Sequence, residues 1–153
     1  MTYSFDTSGL MDGWRRHYPP DVFISLWERL DEMGERGEMF IMDQVRLELD
    51  VKDDDLSAWV NARRHICRPL SNEIQESIEE ILHLYPDLVD PRALRDFADP
   101  FVIAGARVHN ASVVTGEKLT RPPERPKIPN VCDGLGVPWM GILEFMRRQG
   151  WTF

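Results

Sequence analysis

The chain has 153 residues, 42% of them apolar and 29% charged, with five Trp and seven Phe; that mix predicts one domain over 1–153 and excludes disorder and collagen-like repeats. Eighteen basic against twenty-six acidic side chains leave a net charge of −8, which argues against a broad, non-specific nucleic-acid coat. No apolar run approaches the ~18 residues of a membrane span, Asp6 and Asp12 stand where a secretory leader would be apolar, and Cys67 and Cys132 form neither a disulfide framework nor a metal pair, so a location in the reducing cytoplasm, away from membranes, is expected.

Tyr3-Ser4-Phe5 reads as a first strand, closed by the polar, helix-capping break Asp6-Thr7-Ser8-Gly9. From Asp21 to about Gly37, Val22, Phe23, Leu26, Trp27, Leu30 and Met33 recur at three- and four-residue steps between charged residues, which predicts an amphipathic helix stopped by glycines. Met39 to Met42 is short and wholly apolar, as a strand buried on both faces should be, and Asp43 caps a helix through Val45, Leu47 and Leu49. Two helices follow, Asp53 to Cys67 and Ser71 to Tyr85, punctuated by Pro69 and Pro86. Asp99-Pro100 has the form of an acidic cap with proline at the first helical position, opening a helix to Val108; Ala111 to Val114 is the next buried strand. Leu119 to Pro129 carries four prolines and is expected to be an extended loop. Val137 to Met140 and Ile142 to Arg148 close the chain as a short strand and a helix.

Apolar strands alternating with helices predict an α/β fold, a parallel sheet with helices on both faces. Ligands of such sheets bind beyond the carboxyl ends of the strands. Acids dominate that edge: Asp6 after the first strand, Asp43 and Glu48 after the second, Asp99 before the next and Glu117 after it. Carboxylates gathered there repel one another, and Mg²⁺ or Mn²⁺ would relieve the repulsion with the oxygen ligands such ions prefer. Each acid also has an ordinary alternative. Capping would account for Asp6, Asp43 and Asp99, a solvated helix face for Glu48, and turn chemistry for Glu117. No GxGxxG or Walker sequence points to a nucleotide cofactor. Two basic stretches, Arg15-Arg16-His17 and Lys118 to Lys127, are read first as solvated surface.

Four segments, Tyr3 to Leu10, Val45-Arg46-Leu47-Glu48-Leu49, Ala98-Asp99-Pro100 through Ala106, and Val113 to Lys118, resemble the spaced signatures of PIN domains, in PIN order. The tail from Lys127 to Val137 is similar to a PIN-like subgroup of bacterial and archaeal proteins. The resemblance implies a PIN-like, Rossmann-like fold. It also implies a metal-dependent ribonuclease, commonly the toxin of a toxin–antitoxin pair, with an RNA substrate, a cognate antitoxin protein and a homodimer as partners. The family's acidic tetrad falls on Asp6, Glu48, Asp99 and Glu117, with Ser8 and Thr115 as neighbouring hydroxyls and Mg²⁺ or Mn²⁺ as cofactor. On that pattern Asp6 and Asp99 hold the first ion, and Glu48 and Glu117 complete its shell or hold a second. The fourth PIN acid is usually Asp; here it is Glu117 after Gly116, and Asp133 is the alternative. Asp96 is a candidate outer partner, and Lys118 or Arg15 a candidate for the leaving or bridging oxygens.

Two rivals come from other classes. An aspartyl-nucleophile phosphatase needs a second Asp two residues after the first, and position 8 is Ser. A non-catalytic PIN-like scaffold, binding RNA or a protein partner without cutting, differs from the enzyme in lacking metal affinity. The homodimer is expected from the family and from aromatic surface around Trp27 and Trp59.

Overall fold

The structure, a computed structural model, describes residues 1–52, 54–90 and 97–153. Its strands are β1 (Tyr3–Phe5), β2 (Met39–Met42), β3 (Cys67–Arg68), β4 (Ser112–Val114) and β5 (Trp139–Met140), all parallel, in the order β3-β2-β1-β4-β5. The helices among the described residues are α1 (Thr7–Met11), α2 (Ile24–Glu35), α3 (Asp43–Lys52), α4 (Asp54–Asn61), α5 (Asn72–Leu84), α6 (Asp99–Val108), α7 (Ile128–Leu135) and α8 (Ile142–Gln149). A wide π-helical turn, Asp12–His17, continues α1, and a 3₁₀ turn, Arg64–Ile66, precedes β3. None of these helices is long and apolar enough to cross a membrane.

The alternation of side chains along β1 shows how the sheet is covered. Ser4 is buried and donates its hydroxyl to the Val102 carbonyl of α6 at 3.2 Å. Its neighbours Tyr3 and Phe5 point the other way, and both meet the Phe145 ring of α8 edge-on, at 4.9 and 5.1 Å. Helices therefore lie on both faces, and β1, β2 and β4 are buried along their whole length. On the α6 face the approach is close: a Cβ on Gly105 would stand 2.7 Å from the Met42 sulfur, so glycine lets α6 settle onto β2. Ile74, Ile78 and Ile81 form the buried stripe of α5, which packs on α6.

Local signals account for most boundaries. Ser71 caps α5 through the Ile74 N–H, and Gly136 and Gly150 end α7 and α8 in the left-handed region, at φ 71° and 70°. The helix expected from Asp53 to Cys67 is broken instead: α4 stops at Asn61, and Cys67 and Arg68 pair with Ile41 and Met42 as β3. That two-residue ladder is set by its partner strand, not by any local pattern. The loop expected to run to Pro129 ends sooner, because α7 starts at Ile128 with Pro129 in its first turn, where no N–H is needed. Asp133, the alternative fourth acid, is in α7. Asp99 is the first residue of α6 rather than its cap, which is Ala98 with no side-chain bond. Trp27 is buried against Trp14 and Trp59, at 4.8 and 5.3 Å, so it adds nothing to an exposed aromatic surface.

Candidate active site

From β1 the chain builds outward to β2 and β3, then returns to β4 on the other side of β1. The switch point lies between the carboxyl ends of β1 and β4, where parallel sheets open a crevice. Asp6 and Thr115 are the residues that leave those two ends, joined through the Asp6 N–H and the Val114 carbonyl at 3.0 Å. A cleft of about 240 Å³ opens there, and Asp6, Glu48, Asp99 and Glu117 all line it.

Asp6 is 2% exposed and caps α1. Its Oδ1 accepts the Gly9 N–H, and its Oδ2 accepts the hydroxyls of Ser8 at 2.8 Å and Thr115 at 2.7 Å. Three of a carboxylate's four acceptor sites are thus filled. Burial pushes the Asp6 carboxyl up from 3.8 to about 7, against the pull of the Thr115, Gly9 and Ser8 hydrogen bonds and with the charge of Glu117 adding to the rise. Gly9 has to be small, since a Cβ there would lie 2.7 Å from the Val114 carbonyl oxygen.

Glu48, buried on α3, accepts the Ala98 N–H at 3.3 Å and so ties α3 to the start of α6, where Asp99 is itself buried. Glu117 accepts the Ile128 N–H at 3.0 Å and donates its own N–H to Thr115 Oγ1 at 3.0 Å, so the residue after Gly116 is held at both ends. Gly116 packs closely beside the cleft: its N–H donates to Ser8 Oγ, and a Cβ there would run into the Asp12 carboxylate.

The other candidates divide. Asp43 is engaged by Arg46 at 2.8 Å, which lowers its carboxyl, and it is not among the cleft residues. Asp133 accepts the Trp139 indole N–H at 2.8 Å on α7, also outside the cleft. Asp96 lies outside the described residues. Arg15 lines the cleft, whereas Lys118 lines the groove beside it. Sequence reasoning missed Thr7, Asp12 and Arg16 as cleft residues. Asp12 stands at the end of α1, where the π turn begins, and lines the cleft there together with Arg16 of that turn.

The donors are hard oxygens, the chemistry of Mg²⁺ and Mn²⁺ rather than of thiophilic metals. Two observations fit a cation: Asp6 keeps one acceptor site open, and Thr7 Oγ1 is buried in the cleft wall with no hydrogen-bond partner among the described residues. Spacing limits how it could be held. Among the described residues only Asp31, Glu35 and His65 bring three ligand atoms within 4.8 Å of one another, so no three of the cleft carboxylates do. Oxygens on one Mg²⁺ at ~2.1 Å lie within ~4.2 Å of each other. As these side chains stand, no more than two of the four are close enough to share one ion directly, and water would complete its shell.

Sheet order, coverage by helices on both faces and a crevice at the switch point define a doubly wound, Rossmann-like parallel α/β class. The crystal structure of FitAcB from Neisseria gonorrhoeae is similar, with a TM-score of 0.53 over 92% of this chain and 97% of that chain at 11% identity, a likeness of fold. A family model described as a domain of unknown function, DUF4411, matches residues 3–153, and the chain belongs to that family. No curated protein matches it.

Proposed function

We propose that this protein is a divalent-cation-dependent ribonuclease that hydrolyses phosphodiester bonds of single-stranded RNA, as the toxin of a toxin–antitoxin pair in the cytoplasm. The reading is carried by the convergence of Asp6, Glu48, Asp99 and Glu117, from four separated segments, on one cleft at the switch point of a PIN-like sheet. A bound Mg²⁺ or Mn²⁺ would neutralise the phosphodiester oxygens and acidify water at the reacting phosphorus. Asp6 and Asp99 would hold that ion, and Glu48, buried like them, and Glu117 would complete its shell through water or hold a second ion. Ser8 and Thr115 orient the Asp6 carboxylate. Glu48 positions the start of α6 through the Ala98 N–H. Arg15 and Arg16 line the cleft and meet the phosphates of the strand. A cognate antitoxin protein and a homodimer complete the reading.

Incubation of a labelled single-stranded RNA with the protein tests it. Cleavage in Mg²⁺ or Mn²⁺ that stops in EDTA is expected; cleavage undiminished in EDTA overturns the reading. The separation of the carboxylates favours a second reading, a scaffold that binds RNA or a protein without cutting it. Calorimetry with Mn²⁺ divides the two, since a scaffold would take up no metal.

A further inference from the structure

Beside the acid cleft lies a larger groove of about 760 Å³, and Asp12 and Glu117 line both. We propose that this groove receives a nucleoside of the single-stranded RNA next to the phosphate in the cleft, with Trp139 and Leu119 as the platform for its base. The proposal rests on the ribonuclease reading for the placement of that phosphate.

Continuity comes first. Because the two cavities share a wall, a strand with one phosphate among the acids must carry its neighbouring nucleoside over Asp12 or Glu117, and on this side the groove is what it meets. The chemistry of the lining then selects the occupant. Trp139 and Tyr18 line the groove with aromatic surface, and Leu119 and Leu143 are 54% and 47% exposed at a mouth that opens next to a charged cleft. Every nucleobase has an apolar π-face, and stacking on such a surface needs no particular sequence. The Trp139 indole is fixed in advance by its N–H bond to Asp133 at 2.8 Å, so little freedom is lost when a base settles on it. Charge is arranged to match. The acids of the groove, Asp12 and Glu117, stand on the wall shared with the cleft, while exposed Lys118 supplies a cation, and exposed His17 a ring N–H, for the phosphate of the next nucleotide.

The test is equilibrium binding of a fluorescein-labelled single-stranded oligoribonucleotide, measured by anisotropy in EDTA, against an abasic strand of equal length and charge. The wild-type chain is expected to bind the base-bearing strand about tenfold more tightly. Trp139→Ala and Leu119→Ser should each shrink that gap to within about twofold, with unchanged circular dichroism and melting temperature; Leu119, being more than half exposed, supplies the result if Trp139→Ala fails to fold. Equal affinity of the wild-type chain for both strands, or a gap that survives in the folded variants, overturns the proposal and leaves the groove to a protein segment. Cleavage in Mg²⁺ is measured in parallel. Base-dependent binding without cleavage removes the ribonuclease reading and keeps the groove assignment; cleavage without base-dependent binding does the reverse.

Discussion

Two acidic groups in this molecule invite a metal, and they are built in opposite ways. Asp31, Glu35 and His65 stand on the surface of α2 and the 3₁₀ turn, with ligand atoms within 4.8 Å of one another. By distance alone they form the better cage. Asp31, however, is already bonded to Arg63 at 3.1 Å and to His65 at 2.6 Å. In the cleft the carboxylates stand farther apart, yet Asp6 is buried on hydroxyls and an amide, none of which carries a positive charge. Neutral donors orient a carboxylate without cancelling its charge, so burial shows up as a raised Asp6 pKa. Compactness marks a surface ion pair, and uncompensated burial marks the place where a cation would gain most.

The largest effect that separates the two comes from single charge removals. Asp99→Asn and Asp6→Asn should each lower RNA cleavage by on the order of 100-fold or more, since an amide is a poor ligand for a hard cation. Asp31→Asn should change it by no more than about twofold, the scale of an ordinary surface substitution. Full activity in Asp99→Asn, or its loss in Asp31→Asn, would reverse the assignment of the two groups.

Metal-free stability against pH is the second separation, read by urea unfolding. Between pH 4 and 7 the folded chain keeps a proton on Asp6 that the unfolded chain has released, so stability falls as pH rises. The slope is at most ~1.4 kcal/mol per pH unit, on the order of 4 kcal/mol across the window. Asp43 and Asp50 act the other way. Arg46 beside Asp43, and Ser57 and Asn61 beside Asp50, lower their carboxyls, so their contribution is lost only as pH falls below the usual carboxylate range. Asp6→Asn should flatten the decline, and Mg²⁺ at pH 7.5 should recover part of the lost stability. A profile equally steep in Asp6→Asn would show that another group titrates.

A smaller change sharpens the part played by the hydroxyls. Thr115→Val removes the bond to Asp6 and the acceptor for the Glu117 N–H, at a cost of about 1–3 kcal/mol. Because the Thr115 hydrogen bond lowers the Asp6 carboxyl, its loss should raise it further and weaken metal binding at pH 7. Raising the pH to 8.5 should then restore affinity in calorimetry with Mn²⁺. A loss that pH does not repair would assign Thr115 a purely structural role.

What could be read from the sequence follows the range of the forces involved. Ser71 and the isoleucine stripe announce α5 within a few residues, and Met39 to Met42 is apolar enough to be a buried strand wherever it pairs. The Cys67–Arg68 ladder has no such local signature, because its two residues are strand only by virtue of Ile41 and Met42. Pro129 misled for the converse reason: proline forbids a helix interior but suits a first turn, and only the start of α7 tells the two apart. In the cleft, the acids next to strand ends could be named from their order along the chain. Thr7, Asp12 and Arg16 could not: Thr7 and Asp12 stand at the two ends of a short α1 whose orientation on the sheet is set by packing, and the π turn that carries Arg16 leaves no pattern in the residues.

The smallest effects concern the fourth acid, where Glu117 and Asp133 are the alternatives. Glu117→Gln should weaken metal affinity and cleavage, but less than Asp99→Asn does. Its Oε2 is already occupied by the Ile128 N–H, and its side chain has one more bond to order than an aspartate would. Glutamine can keep the Ile128 bond through its amide oxygen, so the loop stays in place and only the charge is lost. Asp133→Asn should leave metal affinity unchanged, because its carboxylate lies outside the cleft on the Trp139 indole, and an asparagine oxygen can still accept that N–H. The contrast is checked by titrating Mn²⁺ into both variants and the wild-type chain. If Asp133→Asn loses metal while Glu117→Gln keeps it, the fourth carboxylate is Asp133, and α7 must shift to bring it from the indole to the sheet edge.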